Sequence, residues 1–195
     1  RPRVLRVPPC GHVAGIWART DGGRGVWKAP AGLEASVRGA LRLAFDTDAL
    51  EQEALNPAGV NALRRIISEP VVWGSRTLAT RSNPEWRYVP VRRTAIFLAE
   101  SIRAGSQWAV FEPNNHLLWA ALRVSIESFM DIQFRAGAFQ GETARQAYFV
   151  RCGLGDTMTQ ADIDAGRVVV LVGFAPLKPA EFVIIRIQQK AGQTQ

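Results

Sequence analysis

Lysine is nearly missing from this 195-residue chain, occurring only at Lys28, Lys178 and Lys190, so arginine carries almost all of the 24 basic charges against 17 acidic ones. The net charge of +7 suits an acidic partner such as nucleic acid, an anionic surface or an acidic protein, or else arginine simply serves as the surface cation. No block of about five or six like charges occurs, as a nucleic-acid-binding tail would show. No run approaches the ~18 consecutive apolar residues of a membrane helix, so membrane insertion is not expected. The opening stretch, RPRVLRVPPCG, has no apolar core of a secretory signal, and without a starting Met it reads as part of a longer chain.

Histidine and cysteine are equally scarce, two of each. His12 and His116 lie far apart, and neither has Cys, Asp or Glu at ligand spacing, so no metal site is expected. Cys10 and Cys152 read as small packed side chains rather than a disulfide, and Cys10 is too near His12 for the usual Cys–His couple. CGLGDT lacks the third glycine of a dinucleotide loop, and GGRGVWK has the glycines and lysine of a phosphate loop at the wrong spacing. Asp162 and Asp164 belong to a helix start. No catalytic constellation remains, so neither an enzyme nor a cofactor is expected.

The residues present divide into segments. Up to about Gly32 the chain is rich in Gly and Pro and is expected to be loop, with Asp21-Gly22-Gly23 as a turn. Leu41–Leu50 reads as a short strand ending in a Thr47 or Asp48 helix cap. Asn56-Pro57 marks a turn, and PVVWGSRTLA a strand. Val91, Ala95, Leu98, Ala99 and Ile102 predict a helix over 91–103 closed by Gly105. Leu118, Leu122, Ser125, Phe129 and Ile132 predict a second, capped by Asn114 or Asn115 and ended by Gly137. AYFVRCG reads as a strand, Thr159–Asp162 as a capping box stopped by Gly166, and RVVVLVGFAP as a central strand buried on both faces. The class is α+β, a small mixed sheet packed against two main helices.

The last strand, EFVIIRIQQ, puts Val183, Ile185 and Ile187 on one face and Phe182, Ile184 and Arg186 on the other. Left uncovered it would be an aggregation hazard. It either closes its own sheet beside Val168–Val172 or adds to the sheet of another subunit. Pro176 and Pro179 stiffen the connection towards an extended arm. The burial gained by such an arm and the entropy of ordering it are of similar size, so exchange needs a lattice that holds donor and acceptor together. A separate reading takes Trp86, Arg87, Tyr88, Arg92 and Arg93, in NPEWRYVPVRR, as a basic aromatic patch for nucleic acid.

Four blocks, HVAGIWARTDGGRGVWKAPAG, LNPAGVNALR, WGSRTLA with WRYVPVRRTAIFLAESI, and VVVLVGFAPLKPAEFVIIRIQQ, resemble in their order the C-terminal part of contractile tail sheath proteins of phage tails, R-type pyocins and extracellular injection systems. The resemblance implies a structural subunit that stacks as hexameric rings around an inner tube and contracts to drive the tube through a target membrane. It implies that 1–32 is an N-terminal segment, 33–175 the sheath core and 176–195 a linker and strand arm, hinged at Pro176 and Pro179 and completing a neighbour's sheet with Phe182 to Ile187. The implied partners are further copies of itself, the tube protein, and baseplate and terminator proteins; nucleic acid is not expected. Assembly would take place in the bacterial cytoplasm. The helix ending at Arg135 is similar in position to the tube-facing helix of the family, with Arg123, Glu127 and Arg135 as candidates on its outer side.

Overall fold

The computed structural model describes residues 4–79 and 83–181. The strand residues Phe182, Val183, Ile184, Ile185, Arg186 and Ile187 lie outside that range. In chain order the elements are helices α1 (Cys10–Arg24) and α2 (Ala49–Leu55), strands β1 (Ala62–Ile66) and β2 (Glu69–Trp73), and the two long helices α3 (Val89–Gly105) and α4 (His116–Arg135). A short helix α5 (Ala144–Ala147), strand β3 (Tyr148–Arg151), helix α6 (Gln160–Asp164) and strand β4 (Leu171–Phe174) follow. The class is α+β, with the sheet divided into two antiparallel ribbons, β1–β2 and β3–β4.

The region expected to be loop is a helix. Nothing local explains α1 well: its N-cap, Pro9, offers no side-chain acceptor, and it contains four glycines. Tertiary contacts override the weak propensity. Ile16 is buried, Arg19 donates to the carbonyls of Glu34 and Ser36 at 3.1 and 3.0 Å, and Asp21 accepts both terminal nitrogens of Arg93 from α3. Asp21-Gly22-Gly23 forms the last turn of this helix, and Gly25 ends it at φ 90°, where a Cβ would strike the Trp27 ring at 2.4 Å.

No strand forms over Leu41–Leu50, but Asp48 caps α2 and exchanges hydrogen bonds with Glu51 in a capping box. Asn115 caps α4 by accepting from Leu117 and Leu118, and Gly137 follows its end at φ 82°. The buried stripe of α4 is Leu118, Leu122, Ile126 and Met130, while Ser125 and Ile132, expected inside, face outward. β4 is shorter than the expected strand and not buried on both faces: it has four residues, pairs only with β3 among the described strands, and Leu171, like Val169 before it, is exposed.

Two apolar clusters result. Leu98 of α3, Ile126 and Met130 of α4, Ala138, Phe139, Ala147 and Val150 form the larger, against which Val172 and Phe174 of β4 pack. Ile16 of α1 joins Ala35, Val37 and Val72 in the smaller, beside the β1–β2 ribbon.

Candidate assembly interface

The chain leaves β4 at Phe174 and is held at once. Ala175 donates to the Ala147 carbonyl at 2.8 Å, Gln140 donates to the Ala175 carbonyl at 2.9 Å, and Pro176 forms a β-bridge with Phe139. Leu177, Lys178, Pro179 and Ala180 then line a cleft of about 750 Å³ together with Trp27, Gln52 and Trp73. In the same cleft Glu181 is captured by side chains from three separate parts of the fold.

Arg76 donates through Nε to Glu181 Oε1 at 2.9 Å and through Nη2 to Oε2 at 2.5 Å. Asn56 Nδ2 reaches Oε1 at 3.4 Å, and the Tyr88 hydroxyl reaches Oε2 at 3.3 Å. The two charged side chains retain only 11% and 15% exposure. Burial pushes the Glu181 carboxyl up, but the hydrogen bond and charge of Arg76, with the Asn56 and Tyr88 bonds, outweigh it and hold the group below the usual carboxylate range. The same hydrogen bond raises Arg76. Sequence reasoning missed this constellation. Its one signal was Glu181 itself, the lone acidic residue between Asp164 and the end of the chain, at the head of an apolar strand.

The expected hinge residues therefore sit in a connection fixed at both ends in this chain, Pro176 within the β-bridge and Pro179 on the cleft rim. The β3–β4 ribbon beside them has no third strand among the described residues. Two short strands alone make a marginal sheet.

Helix α4 presents a different surface. Arg123 is half-buried and donates to the Cys152 carbonyl, so it does not project from the outer side. Glu127 and Arg135 are exposed, the latter paired with Asp131 at 2.7 Å. The exposed side of the helix also carries apolar side chains, Leu117, Val124 and Ile132.

The basic aromatic patch is occupied internally. Arg93 grips Asp21 and lies 4.7 Å over the Trp17 ring, Arg92 lies 5.0 Å over Trp86, and Tyr88 is bound to Glu181. The bases such a patch would stack are replaced by packing at the start of α3. Among the described residues no group of three or more metal-ligating side chains comes together, and no helix is long and apolar enough to cross a membrane.

Comparison with known proteins places these features in a family. Residues 81–190 match the phage tail sheath C-terminal domain, and residues 1–78 match the phage tail sheath protein central domain. The tail sheath protein of Vibrio phage KVP40 is 28% identical over 136 residues, covering 68% of this chain and 20% of that protein. The structure is similar to the baseplate of the anti-feeding prophage (TM-score 0.89, 39% identity, 96% of this chain and 51% of that one). It is also similar to the PVC sheath complex of an extracellular contractile injection system in its contracted state (TM-score 0.88, 37% identity, 95% of this chain and 52% of that one). This chain spans about half the length of those structural relatives and a fifth of the phage protein. The two matched domain types, covering nearly the whole sequence, show that the chain belongs to the contractile tail sheath family.

Proposed function

We propose that this chain is the assembly-forming part of a structural sheath subunit, which polymerises with copies of itself as stacked hexameric rings around an inner tube. Contraction of that lattice drives the tube through a target membrane. The observation that carries the reading is the β3–β4 ribbon, four residues per strand and without a third strand among the described residues, in a chain whose apolar terminal segment follows Glu181. In this reading Phe182 to Ile187 of one subunit adds a strand to the ribbon of another, main-chain hydrogen bonds supplying strength and alternate side chains the register. Extended connections let such a mesh stay joined while the subunits move as rigid bodies between two packings.

The role is mechanical rather than enzymatic, and no nucleotide is consumed. Subunits assemble in the bacterial cytoplasm, with the tube, baseplate and terminator proteins as further partners, and leave as part of a phage tail or extracellular particle. The outer side of α4, with Glu127, Arg135 and the exposed Leu117, Val124 and Ile132, faces the tube; the half-buried Arg123 supports that helix from behind. Support for the baseplate partner comes from the similarity to a baseplate component.

The test is sedimentation of the full-length subunit and of two variants. Deleting Ala180–Gln195, or changing Ile185→Asp, is expected to abolish polymer and leave the unassembled subunit folded, because a charge would be buried in the acceptor sheet. If Ile185→Asp instead unfolds the isolated subunit, the strand closes its own sheet and the exchange is wrong.

A further inference from the structure

We propose that Arg76 and Glu181 are positioning residues for the C-terminal arm: their bidentate pair, completed by Asn56 and Tyr88, fixes where the arm leaves the fold and in which direction. The proposal rests on the reading of 182–187 as an exchanged strand.

A guanidinium fork on a carboxylate restrains rotation as well as distance, which a point charge does not. Here the fork is itself fixed. The Arg76 backbone N–H donates to Asn61 Oδ1 and the Asn61 Nδ2 donates back to the Arg76 carbonyl, both at 2.8 Å. Gly74 permits that approach, since a Cβ there would lie 2.8 Å from Asn61 Oδ1 and 3.0 Å from its Cα. Arg76 Nη1 donates to the Asn56 carbonyl at 3.2 Å, and Arg76 and Tyr88 form a β-bridge that sets the phenol beside the carboxylate.

The partners of Glu181 also fall on both sides of the family boundary. Asn56 and Arg76 lie in the part matching the central domain, whereas Tyr88 and Glu181 lie in the part matching the C-terminal domain. Tension on the arm is therefore taken up by both halves at one carboxylate, before it reaches the short β3–β4 ribbon. Pro176 holds the other end, so 177–180 is a strap along the cleft rather than a free tether. In this proposal the exchanged segment begins after Glu181, beyond both prolines.

The experiment uses the full-length subunit with Glu181→Gln and Arg76→Lys, each keeping size and removing the charged fork. Backbone 15N order parameters at Leu177, Lys178, Ala180 and Glu181 are read in the unassembled subunit, and the critical concentration for polymer in the assembling one. The order parameters are expected to fall from about 0.85 to about 0.6 or below as the strap opens locally. The critical concentration is expected to rise several-fold, because residues 177–181 join the tether and the effective concentration of the strand falls with tether length.

Variants with wild-type order parameters over 177–181 overturn the clasp outright. Variants whose strap opens while the critical concentration stays at the wild-type value overturn its role in positioning. If the Ala180–Gln195 deletion assembles normally, it is the exchanged-strand reading that fails, and with it the role of the clasp. Should Arg76→Lys not fold, Glu181→Gln carries the test alone.

Discussion

Changing Asp21→Asn removes the charge that ties α1 to α3, and the size of the effect can be worked from the contact. Arg93 donates to Asp21 through two nitrogens, at 2.8 and 2.5 Å, and the two side chains keep 22% and 33% of their exposure. Hydrogen bonds to charged groups contribute about 1.5–3 kcal/mol, and discounting for partial solvent screening leaves about 1–2 kcal/mol. Arg93→Ala also removes the stacking on Trp17, adding about 0.5–1 kcal/mol. In a chain of this size each kcal/mol moves the melting temperature by about 2–4 °C. Asp21→Asn should therefore lower Tm by about 2–8 °C, and Arg93→Ala by somewhat more. A thermal double-mutant cycle isolates the pair, with an expected coupling of about 1 kcal/mol or more, accompanied by faster exchange of the α1 amides. Coupling below about 0.3 kcal/mol with unchanged exchange would refute the reasoning and leave α1 held by Ile16 and Arg19.

Met130 is fully buried between α4 and the β3–β4 side of the core, so Met130→Ala should cost about 2–5 kcal/mol, read as a lower urea midpoint with an unchanged slope. The clasp makes the strap sensitive to acid: because the folded Glu181 carboxyl sits below its ordinary value, its contribution is complete above about pH 4.3 and is lost as pH falls through the folded value. Backbone order parameters over 177–181 should therefore stay high at neutral pH and fall on acidification below that ordinary value, whereas Glu181→Gln should show no such step.

What could be read from the sequence was what depends on neighbours along the chain. Asn115 before an apolar period of three and four, Gly137 after it, and Thr159 with Asp162 are local devices, and α4 and α6 form where they indicate. The hairpin strand within PVVWGSRTLA was legible for the same reason. Helix α1 was not, because its support comes from Glu34, Ser36 and Arg93, residues whose proximity no local pattern encodes. The valines at 168–170 mimic a buried strand, yet only Leu171–Phe174 is paired, because β3 offers just four residues to pair with. The clasp was hidden most deeply, since Arg76 and Glu181 are 105 positions apart and each, alone, is an ordinary charge. The contacts of the basic aromatic patch were hidden in the same way: Arg92, Arg93 and Tyr88 have partners inside the fold that a linear pattern does not reveal.

The most direct test of the sheath account is electron microscopy of the full-length protein expressed without its tube partner, beside the same protein lacking Ala180–Gln195. The account predicts hollow helical tubes of wide diameter from the first and dispersed, folded particles from the second. Tubes of normal length from the truncated protein would contradict strand exchange, and dispersed particles from both would contradict self-assembly.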